Sequence, residues 1–381
     1  MKKGRKLMSA VSAMALIVCM VPVSANAASI DVVPHEAVSV EASKYAYFTS
    51  VESAGNYVRE QMKLHNPELH IRLSFIAGSQ DILNDVLSAA FAETGKGDEG
   101  DYLRLSISGY RSSTNRILYD PVLDIFFYYN STIEEDEAVT EKINSILDSL
   151  ELDGKDEYEK ITAVYDYLVT HVDYSENLER DEIFTSYGAL VEGSAVCQGY
   201  IQSIYRMLTD SGVTCRAVMG EGNGGDHVWC IAGIDDTYYL LDPTWDSEFK
   251  GIIKPFFLRG SEDFDKYSYP TVHIAGTGDP DNYAFVPDCT AESFAAAYPI
   301  SKFAFDPESY YSSFLAGDIN YDGCVDIFDL ISAKQCLISG KIGKRTQNAA
   351  DVNGDGTVNI SDAVLIQKFV QGIVSDFSIA S

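Results

Sequence analysis

Two stretches near the C-terminus, 318–329 and 351–362, repeat one twelve-residue pattern and constrain the fold more than any other part of the chain. Each has an oxygen-bearing side chain at positions 1, 3, 5, 9 and 12 and a glycine at position 6. Calcium prefers a shell of hard oxygen ligands, and the glycine permits the sharp turn that such a loop needs. Because the pattern is duplicated, two solvated acidic turns are a poor explanation, and the sequence predicts two calcium loops.

The predicted ligands come in two matched sets. In the first loop position 7 offers the backbone carbonyl of Cys324, and in the second Thr357 takes that place. The full sets are Asp318, Asn320, Asp322, Cys324, Asp326 and Asp329, followed by Asp351, Asn353, Asp355, Thr357, Asn359 and Asp362.

Each loop is followed by an apolar helix pattern, which begins at Leu330 after the first loop and at Val364 after the second. We find no helix pattern before either loop, and position 12 is Asp rather than the Glu of an EF-hand. The C-terminal part is therefore expected to be two loop-helix units in an all-α module.

Residues 1–27 have the pattern of a secretory signal peptide. Basic residues precede an apolar run, which ends in Ala25-Asn26-Ala27. The run is too short to span a bilayer comfortably, and no later stretch is long enough to cross one. We therefore expect a secreted, extracellular protein without a transmembrane segment.

The chain carries a formal charge of −29, which argues against a nucleic-acid partner because phosphates would repel it. Such acidity suits a secreted protein that binds calcium. Of its seven cysteines, six remain after the signal peptide is removed. Their scattered spacing does not resemble a dense disulfide framework, and the sequence leaves their pairing open.

Residues 28–152 alternate helical and extended patterns, as in a small α+β unit. The predicted helices are 51–64, 80–93 and 134–150, and the predicted strands are 69–75, 102–110 and 122–129.

Residues 153–294 are expected to form the main domain, with helices first and strands after Gly212. One helix starts at Asp156 and another at Cys197, each with apolar side chains at helical spacing. The predicted strands are 215–219, 227–234 and 238–241, so a helix leads into an antiparallel sheet. A linker, 295–316, then precedes the C-terminal module, 317–376.

Cys197, His227 and Asp242 are the candidate reactive residues. Cys197 starts a predicted helix, where the helix dipole favours a thiolate. If His227 and Asp242 lie opposite each other on adjacent strands, the carboxylate could hold one imidazole nitrogen while the other faces the sulfur. The residues alone leave open a buried or disulfide-bonded Cys197 and an ordinary His227.

The sequences AVCQGY, DHVW and LDPTWD, which surround these residues in that order, resemble the transglutaminase-like superfamily in its secreted bacterial branch. The resemblance covers about 158–257 and includes YGAL at 187–190; EGDYLR at 99–104 also resembles the N-terminal part of such proteins. It implies a papain-like α+β core, with Cys197 as nucleophile, His227 as general base and acid, and Asp242 as the residue that orients His227.

The resemblance implies acyl transfer without a catalytic cofactor, but it leaves the acceptor open. Water as acceptor gives hydrolysis of a peptide or amide bond in a protein or peptide substrate, and an amine gives crosslinking. We expect hydrolysis, because water is the default acceptor. Protein crosslinking and a non-catalytic binding module are the alternatives. The backbone N–H of Cys197 is one candidate oxyanion donor, and the second is not identified.

The duplicated loop-helix unit closely resembles a type I dockerin, in which position 12 is Asp. That resemblance implies two calcium ions and a cohesin partner on the scaffold protein of a cellulosome-like complex. The family's recognition positions 10 and 11 fall on Ile327, Phe328, Ile360 and Ser361. These residues differ between the repeats, which argues against two equivalent binding orientations.

Several other conspicuous residues are expected to be structural. Glycine-rich 220–226 lacks the Lys-Ser/Thr of a phosphate loop and is expected to border the cleft as a flexible loop. His171 and His273 are expected to be structural or exposed. We expect Cys215 and Cys230 to be core thiols or one disulfide, and Trp229 and Trp245 to pack around the His227 strand or line a groove. A local disulfide between Cys324 and Cys336 stays open.

Overall fold

The computed structural model describes residues 44–74, 81–266, 272–276 and 297–377. The predicted signal peptide, 1–27, lies outside these residues. Among those that are described, no helix combines the length and the apolar character needed to cross a membrane. Helices and strands are numbered below in chain order.

The N-terminal unit is a four-stranded sheet covered by helices, as the alternating pattern predicts. Its strand order is β1-β2-β4-β3, with β1 parallel to β2 and the other pairs antiparallel. Apolar side chains of α1, α2 and the sheet, such as Val58, Val86 and Ile125, form one buried cluster. The elements are β1 (Ala46–Phe48), α1 (Val51–Lys63), β2 (Glu68–Leu73), α2 (Ile82–Ala90), α3 (Asp101–Leu105), β3 (Ile107–Ile117) and β4 (Asp120–Tyr129). Helix α4 (Ile133–Leu150) follows, and its buried side chains Val139, Ile143 and Ile146 join the core of the main domain.

One predicted strand of this unit is partly wrong. Extended structure was expected from residue 102, but Asp101–Leu105 forms the short helix α3 and the strand starts only at Ile107. The helix turns Tyr102, Leu103 and Leu105 into the interior. Apolar residues that fit an alternating pattern are thus buried by a helical turn instead.

Asp101 explains why the turn forms there, because its carboxylate is fully buried against the next domain. It accepts hydrogen bonds from Arg216 Nε at 2.9 Å and from the backbone N–H of Ala217 at 2.7 Å, and it pairs with Arg104 at 2.6 Å. Burial alone would raise the pKa of Asp101, but the two arginines hold it below its usual range. The N-terminal unit is therefore fastened to the main domain by a buried ion cluster.

Asp101→Ala should destabilise the main domain by about 3–5 kcal/mol, because it removes the buried carboxylate that pairs with both Arg104 and Arg216. Urea unfolding followed by tryptophan emission measures this, since both tryptophans, Trp229 and Trp245, lie in that domain. Glu192→Ala removes one partner of Arg180, whose side chain is 43% exposed, and should cost at most about 1 kcal/mol. Equal shifts for the two variants would contradict the role of Asp101.

The main domain packs helices against a second sheet in the order β10-β7-β8-β9, antiparallel throughout. Residues 199–208 of α6 are all buried, so the helix lies within the core rather than on its surface. The elements are α5 (Glu157–His171), β5 (Asp173–Tyr174), a π-helix (Tyr187–Glu192), β6 (Ser194–Ala195), α6 (Cys197–Asp210), β7 (Cys215–Gly222), β8 (Gly225–Ile234), β9 (Thr237–Leu241), α7 (Pro243–Asp246) and β10 (His273–Ala275); short 3-10 turns are Asp181–Phe184 and Ser247–Phe249.

This arrangement confirms the predicted fold class of a helix packed on an antiparallel sheet. The glycine-rich segment 220–226 differs from the expected flexible loop: strands β7 and β8 run through it, and Asn223 and Gly224, both with positive φ, form a tight turn. Cys215 and Cys230 are buried free thiols.

The described part of the predicted linker, 295–316, packs on the main domain. It contains helix α8 (Pro307–Ser312), and the Tyr310 side chain is buried in the domain core. Residue Ile300 forms an isolated bridge to Tyr238 of β9.

The C-terminal module contains α9 (Ile327–Ser339), α10 (Lys344–Ala350) and α11 (Ile360–Val370) around a small apolar core. The helices after both loops are where the sequence predicts them. The expectation that no helix enters a loop is wrong for the second one, because α10 ends directly at Asp351.

Helix α10 also contacts the main domain. The Arg345 guanidinium lies over the rings of Tyr310 and Tyr321, at 4.2 and 4.1 Å from their centroids. It also pairs with Asp235 in the β8–β9 turn at 2.7 Å. The backbone N–H of Lys344 donates to Glu159 at 3.1 Å, so tertiary contacts support this short, polar helix.

Candidate active site and calcium module

Cys197 is the first residue of α6 and is half-buried. Val196 before it is extended and has no side chain that could cap the helix, so the N–H groups of the first turn lie next to the thiol. Gln198 ties the start of the helix to the N-terminal unit by donating to the Leu105 carbonyl at 2.7 Å. The helix thus holds Cys197 where its N-terminal dipole favours a negative charge.

His227 and Asp242 meet as the sequence predicts, although they are not directly opposite each other. The register of β8 and β9 pairs Cys230 with Leu241, and Asp242 follows the end of β9 as the N-cap of α7. His227 Nε2 nevertheless lies 2.8 Å from Asp242 Oδ2. This contact leaves Nδ1 of the ring for Cys197, which lies near enough to His227 to raise its pKa.

The pKa values of His227 and Asp242 are shifted in opposite directions. Burial would lower the pKa of His227, but the Asp242 carboxylate and then Cys197 outweigh it and raise that pKa to about 10. Burial would raise the pKa of Asp242, but His227 and then His273 hold it well below its usual range. The pair is therefore an imidazolium beside a carboxylate at neutral pH.

Backbone donors fix the other oxygen of the Asp242 carboxylate. Its Oδ1 accepts hydrogen bonds from the N–H groups of Thr244 at 2.9 Å and Trp245 at 3.2 Å. Both donors belong to α7, so the Asp-Pro-Thr-Trp sequence itself supplies the N–H groups that hold the Asp242 carboxylate. A carboxylate with two oxygens engaged cannot rotate freely, which sets the direction from which His227 is held.

The two tryptophans have different surroundings. Trp229 is buried in a cluster on the outer face of the sheet, which agrees with packing. Trp245 stacks on His227 with ring centroids 4.9 Å apart and an interplanar angle of 12°. Tyr174 on β5 is a further neighbour: burial, followed by the charge of Cys197, raises its pKa to about 12.

His273 is a site residue that the sequence analysis missed. It was expected to be structural or exposed, but its side chain is 2% exposed and its Nε2 lies 3.2 Å from Asp242 Oδ2. It reaches Asp242 from β10, 31 residues along the chain. The sequence shows only a histidine beside the apolar residues Val272 and Ile274, which does not identify a partner. His171, by contrast, is exposed and stacks on Tyr167, as expected.

His227, Asp242 and His273 offer three ligand atoms within 4.8 Å of one another, which is close enough for a divalent cation. A cation there would bond to the same carboxylate oxygen and imidazole nitrogens that now hydrogen-bond to each other. Asp242 would then no longer orient His227. The observed contacts are hydrogen bonds between Asp242 and the two imidazole rings.

Both acidic loops turn sharply at the glycine in position 6. Gly323 and Gly356, at position 6 of each, have φ values of +86° and +85°, which favour glycine. In the first loop Asp318 Oδ2 accepts from the N–H of Gly323 at 3.0 Å. In the second, Asp351 Oδ2 accepts from that of Gly356 at 2.7 Å. The loop backbone therefore closes around the first ligand of each set.

The last predicted ligand of each loop is buried between the loop and its helix. Asp329 and Asp362 are 0% and 1% exposed, and each also forms a capping box with the residue three positions before it. Asp322 and Asp326 offer ligand atoms within 4.8 Å of each other and of the Cys324 thiol. Hard oxygen donors at these positions fit calcium, and the Cys324 and Cys336 thiols are free.

The predicted partner-recognition residues lie on the surface. Ile327, Phe328 and Ile360 are 49%, 60% and 70% exposed, and Ser361 is exposed as well. All four stand in the first turn of α9 or α11. Apolar side chains exposed at the start of both helices are available to a protein partner.

Comparison with known families assigns both parts. Residues 144–243, which include Cys197, His227 and Asp242, match the Transglutaminase-like superfamily. Residues 316–371 match the Dockerin type I domain. The chain joins a transglutaminase-like core to a type I dockerin.

Two other comparisons add little to this assignment. A solved structure described as "Crystal structure of a TGase" is 16% identical, covers 49% of this chain and 54% of that chain, and has a TM-score of 0.27. The chain thus spans about half the length of that structure. No curated protein matches this chain.

Proposed function

We propose that this protein is a secreted cysteine-dependent acyl-transfer enzyme that hydrolyses a peptide or amide bond and is held on a scaffold by its dockerin. The observation that carries the proposal is the buried 2.8 Å contact between His227 and Asp242 beside Cys197 at the start of α6. A binding module that only recognises a ligand has no need for a buried imidazolium-carboxylate pair next to a thiol.

In the proposed reaction the Cys197 thiolate attacks the carbonyl carbon of the substrate. The backbone N–H of Cys197 donates to the oxyanion that forms. His227 gives its proton to the leaving amine as the carbon–nitrogen bond breaks, and a thioester to Cys197 remains. His227 then takes a proton from water, whose oxygen attacks the thioester carbon; the carbon–sulfur bond breaks, the acid is released, and the Cys197 thiolate and the His227 imidazolium are restored. Asp242 keeps His227 in the orientation that both steps need.

The acceptor in the second step decides the biological outcome. Water gives a new carboxylate, whereas a lysine amine would give an isopeptide crosslink by the same thioester. We favour water, because it needs no second binding site. The residues around Cys197 that are described here do not include a feature specific to an amine.

We further propose that the dockerin binds two calcium ions through the two ligand sets and docks on a cohesin through the exposed start of α9 and α11. Calcium would supply the positive charge that draws the loop carboxylates together, and Asp329 and Asp362 would connect each ion to the following helix. The difference between Ile327-Phe328 and Ile360-Ser361 favours one docking orientation over the other. Secretion through the 1–27 signal peptide is part of the same proposal.

Incubation of wild type and Cys197→Ala with a mixed bacterial-wall and plant-cell-wall protein extract, in the presence of a tagged primary amine, tests the enzyme. Mass spectrometry should find new peptide termini or deamidated glutamines that depend on Cys197, because water completes the reaction. Tagged glutamines would assign crosslinking instead. Cys215→Ala, which removes a buried thiol outside the triad, is the control and should behave as wild type. Identical products from wild type and Cys197→Ala would contradict catalysis and favour a binding module.

A further inference from the structure

His273 is held between two carboxylates, and one of them belongs to the catalytic triad. Its Nε2 lies 3.2 Å from Asp242 Oδ2, and its Nδ1 lies 2.7 Å from Asp265 Oδ1. The backbone N–H of His273 also donates to Asp265 Oδ2 at 3.2 Å. We propose that His273, anchored by Asp265, is a positioning residue that fixes the Asp242 carboxylate for His227. This inference rests on the proposed function.

The edge strand β10 brings His273 to the site. It pairs with β7 so that His273 faces Gly222 and Ala275 faces Gly220. A Cβ at Gly222 would lie 2.8 Å from His227 Cδ2, and a Cβ at Gly220 would collide with the backbone of Ile274. Both glycines therefore allow β10 and the His227 ring to lie close together.

The two carboxylates determine which atoms donate in the hydrogen bonds of His273. Both of its nitrogens face carboxylate oxygens, which accept hydrogen bonds but do not donate them. The hydrogen bond to Asp242 therefore requires a hydrogen on Nε2. His273 then presents an N–H to the same oxygen, Asp242 Oδ2, that holds His227.

Aromatic rings keep this part of the site dry and rigid. Phe264 stacks on His273 with centroids 4.2 Å apart, and Trp245 contacts it at 4.1 Å. Trp245 in turn stacks on His227. A hydrogen bond to a charged group in such an enclosure is worth more than one in water, so its loss should be measurable.

The proposed role is distinct from packing because it requires an N–H rather than only volume. In the full-length chain, His273→Gln keeps a donor of similar reach, and His273→Leu keeps the approximate volume without a donor. The readout is the rate at which iodoacetamide alkylates Cys197 from pH 5 to 10, followed on the Cys197 peptide by mass spectrometry. This readout does not require the natural substrate. The titratable groups that contact His273 are Asp242, Asp265 and His227.

His273→Leu should slow alkylation of Cys197 at neutral pH about tenfold or more, because Asp242 loses a donor and holds His227 less firmly. His273→Gln should recover most of that rate. His171→Leu and His171→Gln, which change an exposed histidine, should match wild type. The Cys336 peptide in the same digest is the internal standard, since its rate should not change in any of these variants.

Equal rates for His273→Leu and wild type, or equal losses for Leu and Gln, would overturn the proposal. A loss in wild type of the same size on adding 1,10-phenanthroline would also overturn it, in favour of a bound metal. If the His273 variants do not fold, Asp265→Asn removes only the anchoring charge and should slow the reaction severalfold; no change would count against the role.

Failure of the proposed function looks different. In that case Cys197 of wild type would react no faster than Cys336 at any pH. A reactive Cys197 that is insensitive to His273 would leave the enzyme proposal standing and remove only the positioning role.

Discussion

Asp242→Asn should lower the rate of the Cys197-dependent reaction about 10⁴-fold, the loss known for the equivalent change in a serine-protease triad. The amide nitrogen would face His227 Nε2, which donates to the carboxylate in wild type, so the ring would have to adopt the other tautomer. In that tautomer Nδ1 already carries a hydrogen, so His227 could not accept the proton of the Cys197 thiol and would not form the imidazolium that protonates the leaving amine. The assay is release of new peptide termini in the extract experiment, or alkylation of Cys197.

The pH dependence should change with the rate. In wild type the pKa of His227 is raised to about 10, chiefly because the Asp242 charge outweighs burial. We therefore expect the alkaline limb of the pH–rate profile near pH 10 in wild type and well below it in Asp242→Asn. Asp236→Asn, in the exposed β8–β9 turn, is the matched control. It should keep the wild-type rate and the wild-type alkaline limb of the pH–rate profile.

The same substitution should change how stability depends on pH. A histidine whose pKa rises on folding contributes its stabilisation fully below the unfolded value of 6.5 and loses it as the pH rises to about 10. Within that window the loss is at most about 1.4 kcal/mol per pH unit. Urea unfolding at pH 6 and 9 should show this loss in wild type but not in Asp242→Asn. Parallel curves would show that the pair is not charged in the folded protein.

The parts of the fold that the sequence predicts well are those in which one local pattern decides the outcome. Helix α6 begins at Cys197 as predicted and ends at Asp210, before Gly212, because its apolar side chains follow helical spacing up to that point. Strands β7 to β9 contain β-branched and aromatic residues, which favour strands, and turn residues separate them. His227 and Asp242 could be identified from the same strands, since sequential strands of a hairpin are adjacent.

Long-range contacts decide the parts that the sequence does not predict. Helix α3 occupies a predicted strand because Asp101 pairs with Arg216, more than a hundred residues away. His273 reaches Asp242 through pairing of β10 with β7, and its short extended segment contains no sign of that partner. Helix α10 has little apolar periodicity and depends on contacts with Glu159 and Asp235. Such partners belong to the tertiary structure and not to any local window.

Removal of calcium should unfold residues 317–376 while the main domain stays folded. The apolar core of the dockerin is small, with Leu330, Val352 and Ile366 among its buried members, and a module of this size needs additional stabilisation. Its loop carboxylates would repel each other without a cation. Addition of EGTA should therefore reduce the helical circular dichroism signal of α9 to α11, and calcium should restore it.

Tryptophan emission separates this event from general unfolding, because both tryptophans lie near His227 in the main domain and none lies in the dockerin. Emission should stay unchanged on chelation while the helical signal falls. Asp318→Ala and Asp351→Ala each remove the first ligand of one loop and should each raise the calcium concentration needed for folding, whereas Glu308→Gln in α8 should not. A circular dichroism spectrum that does not respond to EGTA would contradict calcium-dependent folding, because the acidic loops would then be stable without an ion.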